Sequence, residues 1–267
     1  MQKELADAKR NRWFVLFAIV FTSLSLALSL LGLSGLGTLG VTGFGRTTAS
    51  LLNLVLLIVP LMGLLMGALS VATEREQGTL VSILAQPVTP REVLLGKFLG
   101  LAAALAGTVL FGFGVSGLVV AHYAGATHIG DYLTLIAFTL LLGLVNLGLG
   151  LCLSILVRRG STAVGLALLL WLVFLILSDL GMMGTTVVLN LTPAQLLWLS
   201  LLNPGQIFKL AAVGTVQGSL EVLGPSALYA ATVFGPWRLA ALTALLAIWV
   251  VVPLLVGLQL FPRRAAL

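Results

Sequence analysis

Residues 49–92 read ASLLNLVLLIVPLMGLLMGALSVATEREQGTLVSILAQPVTPRE, and this stretch decides the fold. Its first part, Ala49–Ala72, is apolar and carries no charge. A helix needs about 20 mostly apolar residues to cross about 30 Å of hydrocarbon, so Ala49–Ala72 is long enough to span a membrane. The segment Thr73–Glu92 that follows holds Glu74, Arg75, Glu76, Arg91 and Glu92 and is too charged to continue it. Leu94–Ala121 then returns to apolar residues of spanning length. A membrane helix, a polar return and a second membrane helix make the chain polytopic.

Working outward, four more stretches meet the length criterion: Trp13–Leu33, Tyr132–Val157, Ser161–Leu180 and Leu239–Phe261. The reading is therefore an all-α integral membrane protein with six transmembrane helices, forming one transmembrane domain over residues 1–267. Short alternating strands of the kind that build a barrel are not visible. Composition agrees. Of 267 residues, 60% are apolar and 8% charged, with a mean hydropathy of +1.17. Soluble domains carry about 25% charged residues, so a soluble enzyme, a nucleic-acid binder and a disordered chain are excluded. The net charge of +6 reflects basic residues scattered between apolar runs, not a phosphate-tracking patch. Cys152 is the one cysteine, which excludes an intramolecular disulfide.

Basic residues accumulate on the cytoplasmic side of membrane proteins. Lys3, Lys9, Arg10 and Arg12 precede the first span. Arg75, Arg91 and Lys97 lie between spans two and three, Arg158 and Arg159 between four and five, and Arg263 and Arg264 at the end. Only Arg46, Lys209 and Arg238 fall on the other side. Both termini are thus expected in the cytoplasm, with residues 1–12 forming an amphipathic tail. Ser34–Gly45 and His122–Asp131 are outside loops, and Arg158–Gly160 is a tight inside turn.

Two segments outside the spans carry more information. In residues 73–92, Leu80, Ile83 and Leu84 fall at helical spacing and form one apolar face, and Pro87 ends the helix. Thr89-Pro90-Arg91-Glu92 then has the order of a capping box that opens span three. Either this short helix lies in the headgroup layer, or it docks a cytoplasmic partner. The mixed charges of Glu74, Arg75 and Glu76 favour docking, because lipid-facing helices are typically basic. Residues 179–238 are unusually apolar for an outer connection. Thr192-Pro193-Ala194-Gln195 and Asn203-Pro204-Gly205-Gln206 both have capping-box order, so Thr192 and Asn203 each open a short helix, and Gly214 is placed as a stop. Two such helices either dip into the outer leaflet and return, or rest on the outer surface as a cap.

No catalytic set accompanies this architecture. GxxxxGK[ST] is absent, so the chain cannot hydrolyse ATP by itself and is read as a non-catalytic subunit. His122 and His128 share one outer loop, and two ligands fall short of a typical metal site. Cys152 reads as a small packing residue, and Asn146 as interhelical glue. Asp179, near the outer end of span five, is the one ionisable group placed near membrane depth. Gly63 and Gly67, and Gly96 and Gly100, have the spacing that permits close helix approach, a spacing that arises easily by chance among 30 glycines. Pro60 and Pro253 predict kinks.

The whole chain resembles the permease subunit of an ABC transporter of the ABC-2 type. The resemblance rests on the KELADAKRNRW tail, six spans, a cytoplasmic helix between spans two and three, and a long outer segment before span six. Glu74–Gly100 carries it most specifically, through E-R-E-Q-G-T-L and L-A-Q-P-V-T-P-R-E-V-L-L-G-K. It implies that residues 73–92 are a coupling segment in which Gly78, Thr79, Leu80, Ile83, Leu84 and Pro87 enter a groove of an ATPase subunit. Glu74 and Glu76 would meet basic residues of that ATPase. No cofactor is expected in this chain; ATP and Mg act through the partner. Within the family, the LLGKF block, Leu201-Leu202-Asn203-Pro204 and the final Arg263-Arg264 resemble the permease of the NosDFY machinery that matures nitrous oxide reductase. That implies a second copy of this chain, a NosF-like ATPase inside and a periplasmic NosD-like protein outside, serving the enzyme's copper centre from the inner membrane of a prokaryote. No Met, Cys or His cluster lines a span, so mechanical coupling fits the residues better than copper passage. An exporter of lipid, polysaccharide or drug-like molecules is the alternative within the family.

Overall fold

Backbone N–H and C=O groups in hydrocarbon must be satisfied within their own segment, so long apolar runs propagate as helices. The computed structural model describes residues 12–34, 43–85, 87–124, 129–188, 192–216 and 225–265, and among them there is no strand. The helices are α1 (Arg12–Ser34), α2 (Gly43–Glu76), α3 (Thr79–Leu84), α4 (Pro90–Ala124), α5 (Ile129–Leu156), α6 (Gly160–Val188), α7 (Pro193–Leu201), α8 (Pro204–Val216), α9 (Pro225–Phe234) and α10 (Arg238–Ala265). Among the described residues, four stretches are long and apolar enough to cross a membrane: Ser50–Glu76, Pro90–Val119, Ile129–Leu156 and Thr232–Arg264. Val15–Leu31 and Gly160–Ile176 are apolar but shorter. The amino-terminal tail lies outside the described residues.

The packing centres on α2 and α5. A Cβ on Gly63 would lie 2.7 Å from the Gly143 carbonyl oxygen, and one on Gly67 would overlap the Leu147 carbonyl. A Cβ on Gly150 would overlap the carbonyl of Leu64. In lipid no hydrophobic force drives helices together, so close backbone approach at small residues supplies the contact instead. Gly96 is different: a Cβ there meets nothing within 4 Å. The Ser154 hydroxyl of α5 adds polar ties to α2, accepting from the backbone N–H of Val71 (2.9 Å) and Ala72 (2.7 Å). On the far side of α4, Phe113 stacks edge-on against Phe21 of α1 and Tyr132 of α5, and the Tyr132 hydroxyl donates to the Phe113 carbonyl at 2.8 Å.

The residues after α6 depart from the sequence reading in detail. Helix α6 continues past Leu180 to Val188, α8 runs past Gly214 to Val216, and a third short helix, α9, follows. Thr192 closes a reciprocal capping box with Gln195. The α7–α8 turn is held by two long helices. The Asn203 amide donates to the Phe174 carbonyl at 2.8 Å, and the Trp249 indole donates to the Leu201 carbonyl at 3.3 Å. Phe174 and Trp249 both lie near the middle of their helices, and Ile207, Phe208 and Ala211 are completely buried.

The glycine contact predicts a steep local intolerance. Gly67→Leu should cost at least about 1–3 kcal/mol through overpacking, lowering the melting temperature of the detergent-purified protein and broadening its size-exclusion peak. Gly96→Leu should leave both unchanged.

Candidate functional site

Residues 73–92 form a bracket between the ends of two long helices. Helix α2 ends at Glu76, where Gln77 N–H bonds to the Thr73 carbonyl (3.0 Å) and Gly78 N–H to the Arg75 carbonyl (3.2 Å). Gly78 sits at φ +72°, a left-handed conformation that costs other residues about 1–2 kcal/mol. The reversal launches α3, whose Thr79 hydroxyl donates to the Glu74 carbonyl at 3.3 Å. Helix α3 stops three residues before Pro87, and the α region is in any case disfavoured just before a proline. Thr89 and Glu92 then form the reciprocal box that starts α4: Thr89 N–H donates to the Glu92 carboxylate at 2.8 Å, and Glu92 N–H to the Thr89 hydroxyl at 3.3 Å.

Side-chain placement sorts the candidate residues. Leu80 is 5% exposed and packs into the chain's own core, whereas Val81 beside it is 73% exposed. Gly78, Thr79 and Pro87 are exposed, and the side chains of Ile83 and Leu84 lie outside the described residues. The apolar spacing identified Leu80 but not Val81, because a spacing rule cannot say which side of a six-residue helix meets its own protein.

The charged cluster has partners within the chain. The Glu74 carboxylate pairs with the Lys97 ammonium of α4 at 2.7 Å, in a site where both side chains are largely buried, and Lys97 also reaches the Ser70 carbonyl at 3.4 Å. The Arg75 guanidinium donates to the carbonyls of Ile155 (3.2 Å) and Val157 (3.0 Å) at the end of α5, and Arg264 donates to Leu156 there at 3.0 Å. Glu76 accepts from Gly160 N–H at 2.8 Å at the start of α6. Cations at a helix carboxyl end and an anion at an amino end satisfy orphan backbone groups and complement the helix dipole. The end of α2 thereby holds α4, α5 and α6 together.

A second feature lies near mid-length of the long helices. A cavity of about 240 Å³ opens between α2, α5, α6 and α8, and its polar lining comes from Asn53, Asn146, Asn203 and Lys209. Asn203 also caps α8, its side-chain oxygen accepting from Gly205 N–H at 2.9 Å. Asn146 was expected to tie helices together; it donates instead within its own helix, to the Leu142 carbonyl at 2.8 Å, and its side-chain oxygen is buried without a partner. Lys209, assigned by sequence to an outer connection, reaches the same cavity as Pro60 of α2. The Asp179 side chain and His128 lie outside the described residues, and His122 is exposed. Cys152 donates to the Pro253 carbonyl at 2.9 Å. Among the described residues no group of three His, Cys, Asp or Glu side chains is placed to hold a metal.

Comparison with known proteins bears on the chain as a whole. A family model described as ABC-2 family transporter protein matches residues 1–266. The chain is 35% identical over 269 residues to a protein of Stutzerimonas stutzeri described as a probable ABC transporter permease protein NosY, covering 98% of this chain and 96% of the relative. A protein of Pseudomonas aeruginosa with the same description is 35% identical over 277 residues, with the same coverage.

The buried ion pair makes a double-mutant cycle informative. Glu74→Gln leaves the Lys97 ammonium buried without its counter-charge and should cost about 3–5 kcal/mol, whereas Glu74→Gln with Lys97→Met should recover most of that loss. Thermal unfolding of the four proteins in one detergent checks it; additive losses would remove the coupling between the two residues.

Proposed function

The chain belongs to the ABC-2 family of transporter proteins, and from that premise we propose that residues 73–92 dock a cytoplasmic ATPase and pass its movements to the membrane helices. The chain is the permease subunit of an ABC transporter. It crosses the membrane six times, α1 and α6 included, with both termini in the cytoplasm, and α7 and α8 re-enter the outer leaflet. It works as a homodimer with a pair of NosF-like ATPases, which bind ATP and Mg, and with a NosD-like periplasmic protein. A role in maturing the copper centre of nitrous oxide reductase follows from the resemblance to the NosDFY permease, with which the description of both relatives as NosY agrees.

One observation carries the docking assignment. Val81 presents an exposed apolar side chain on a short helix that starts at the left-handed Gly78 turn and precedes the Thr89–Glu92 box opening α4. Such a tip suits insertion into a groove. Nucleotide can shift the permease only through an interface whose contacts differ between two states, and movement of α3 has a short path inward through Leu80 and the Glu74–Lys97 pair. Glu74 and Glu76 act in this reading as internal ties that make the bracket stiff, in addition to any contact with the partner.

An exporter of lipid, polysaccharide or drug-like molecules would use the same coupling. The observation that favours it is the polar-lined cavity among apolar helices.

Val81→Asp should lower co-purification of the co-expressed partner ATPase at least tenfold while the permease still elutes as a single peak. Leu80→Asp should instead destabilise the permease itself. Undiminished capture by the Val81 variant, or a topology reporter at Ser82 that faces the periplasm, would end the docking assignment.

A further inference from the structure

We propose that the arginines gathered at the carboxyl end of α5 bind the headgroup of an anionic phospholipid. The inference goes beyond the coupling described above and stands whether or not an ATPase docks on α3.

The first argument is convergence. Three segments far apart in sequence bring guanidinium groups to one helix end. Arg75, at the end of α2, donates to the Ile155 and Val157 carbonyls, and Arg264, at the end of α10, donates to the Leu156 carbonyl between them. Arg158 follows directly, and its charge and that of Arg264 both act on Arg75. Arg159 and Arg263 adjoin them along the chain. The partial charge at a helix carboxyl end, about half an elementary charge, offsets only a fraction of this group.

The second argument is what the group lacks. Of the two acids beside Arg75, Glu74 is paired with Lys97, and Glu76 accepts from the Gly160 N–H. Among the described residues no carboxylate forms an ion pair with Arg158, Arg159, Arg263 or Arg264. All four of those side chains are exposed. Like charges held close together repel, and an anion lying between them turns that repulsion into attraction. Every member of the group is an arginine, whose planar fork pairs with phosphate oxygens two at a time.

The third argument is depth and surroundings. The apolar stretches Ser50–Glu76, Ile129–Leu156 and Thr232–Arg264 all end here, so the group sits where hydrocarbon gives way to headgroups. Leu156, one residue along from the carbonyls' midpoint, is exposed. On α10, Val252 and Val256 are also exposed and fall on one helix face with Arg263, at spacings of four and seven residues. An apolar track that runs up to open cations matches acyl chains beneath a phosphate. The acidic surface of a water-soluble protein would leave that track uncovered.

The full-length permease, purified and reconstituted with equal amounts of phosphatidylglycerol and phosphatidylcholine of the same chains, provides the test by native mass spectrometry. Wild type should retain phosphatidylglycerol about tenfold over phosphatidylcholine, and added salt should lower that ratio. Arg158→Gln and Arg263→Gln should each lower it about threefold and together bring it close to one. Neither should change the melting temperature in lipid-free detergent, where a residue that merely held the fold would. Arg91→Gln removes an exposed charge at the start of α4 instead and should keep the selectivity. An equal loss in Arg91→Gln overturns the proposal, because the effect would then be diffuse surface charge. Equal retention of the two lipids by wild type overturns it as well, even where inorganic phosphate raises the melting temperature, because the anion would then be a free one. Selectivity that survives the double substitution also overturns it, and loss of the co-expressed ATPase from that variant would then assign the surface to a protein partner.

Discussion

The close approach of α2 to α5 is the constraint on which the other contacts depend. Residues Gly63, Gly67 and Gly150 let two backbones meet where side chains of any size would hold them apart. That proximity brings Ser154 within reach of the α2 backbone and carries Arg75 to the last carbonyls of α5. Dispersion between tightly fitted surfaces falls off steeply with distance, so a small gap opened here would loosen the polar ties as well.

Those ties converge at one end of the bundle. Glu74, Arg75 and Glu76 are consecutive, yet they reach α4, the end of α5 and the start of α6 respectively. Successive helical residues point about 100° apart, so three adjacent charges on one helix end address three different neighbours. The bracket formed by the Gly78 turn, α3 and the Thr89 box hangs from this knot. A force applied to α3 therefore meets a connected set of helices at once, which is the mechanical property a coupling element needs.

The opposite half of the molecule is organised by the inserted α7–α8 turn. The Leu201 carbonyl accepts from Trp249, Gly205 N–H donates to the Asn203 side chain, and that side chain donates to Phe174, so polar groups of the turn are paired where it packs against the long helices. Seating the turn there also lines one side of the cavity and delivers Lys209 to it. The turn thus has a second consequence beyond packing, since it brings a cation and an amide to a lining that the long helices supply with only Asn53 and Asn146.

What sequence alone determined was whatever depends on neighbours along the chain. Apolar length marked the helices, and the Thr89 and Thr192 motifs marked helix starts, because spanning and capping are local physics. The spacing of Gly63 and Gly67 was visible but carried no more weight than that of Gly96 and Gly100. Tertiary structure decided that the first pair meets α5 and that a Cβ on Gly96 would meet nothing within 4 Å. It likewise turned Leu80 inward and Val81 outward, paired Glu74 with Lys97, and carried Lys209 from an outer connection to the cavity that Asn146 also lines. Each of these depends on which distant segment arrives opposite a residue. That is set by the shape and register of whole helices packing together, and no short stretch of chain encodes it.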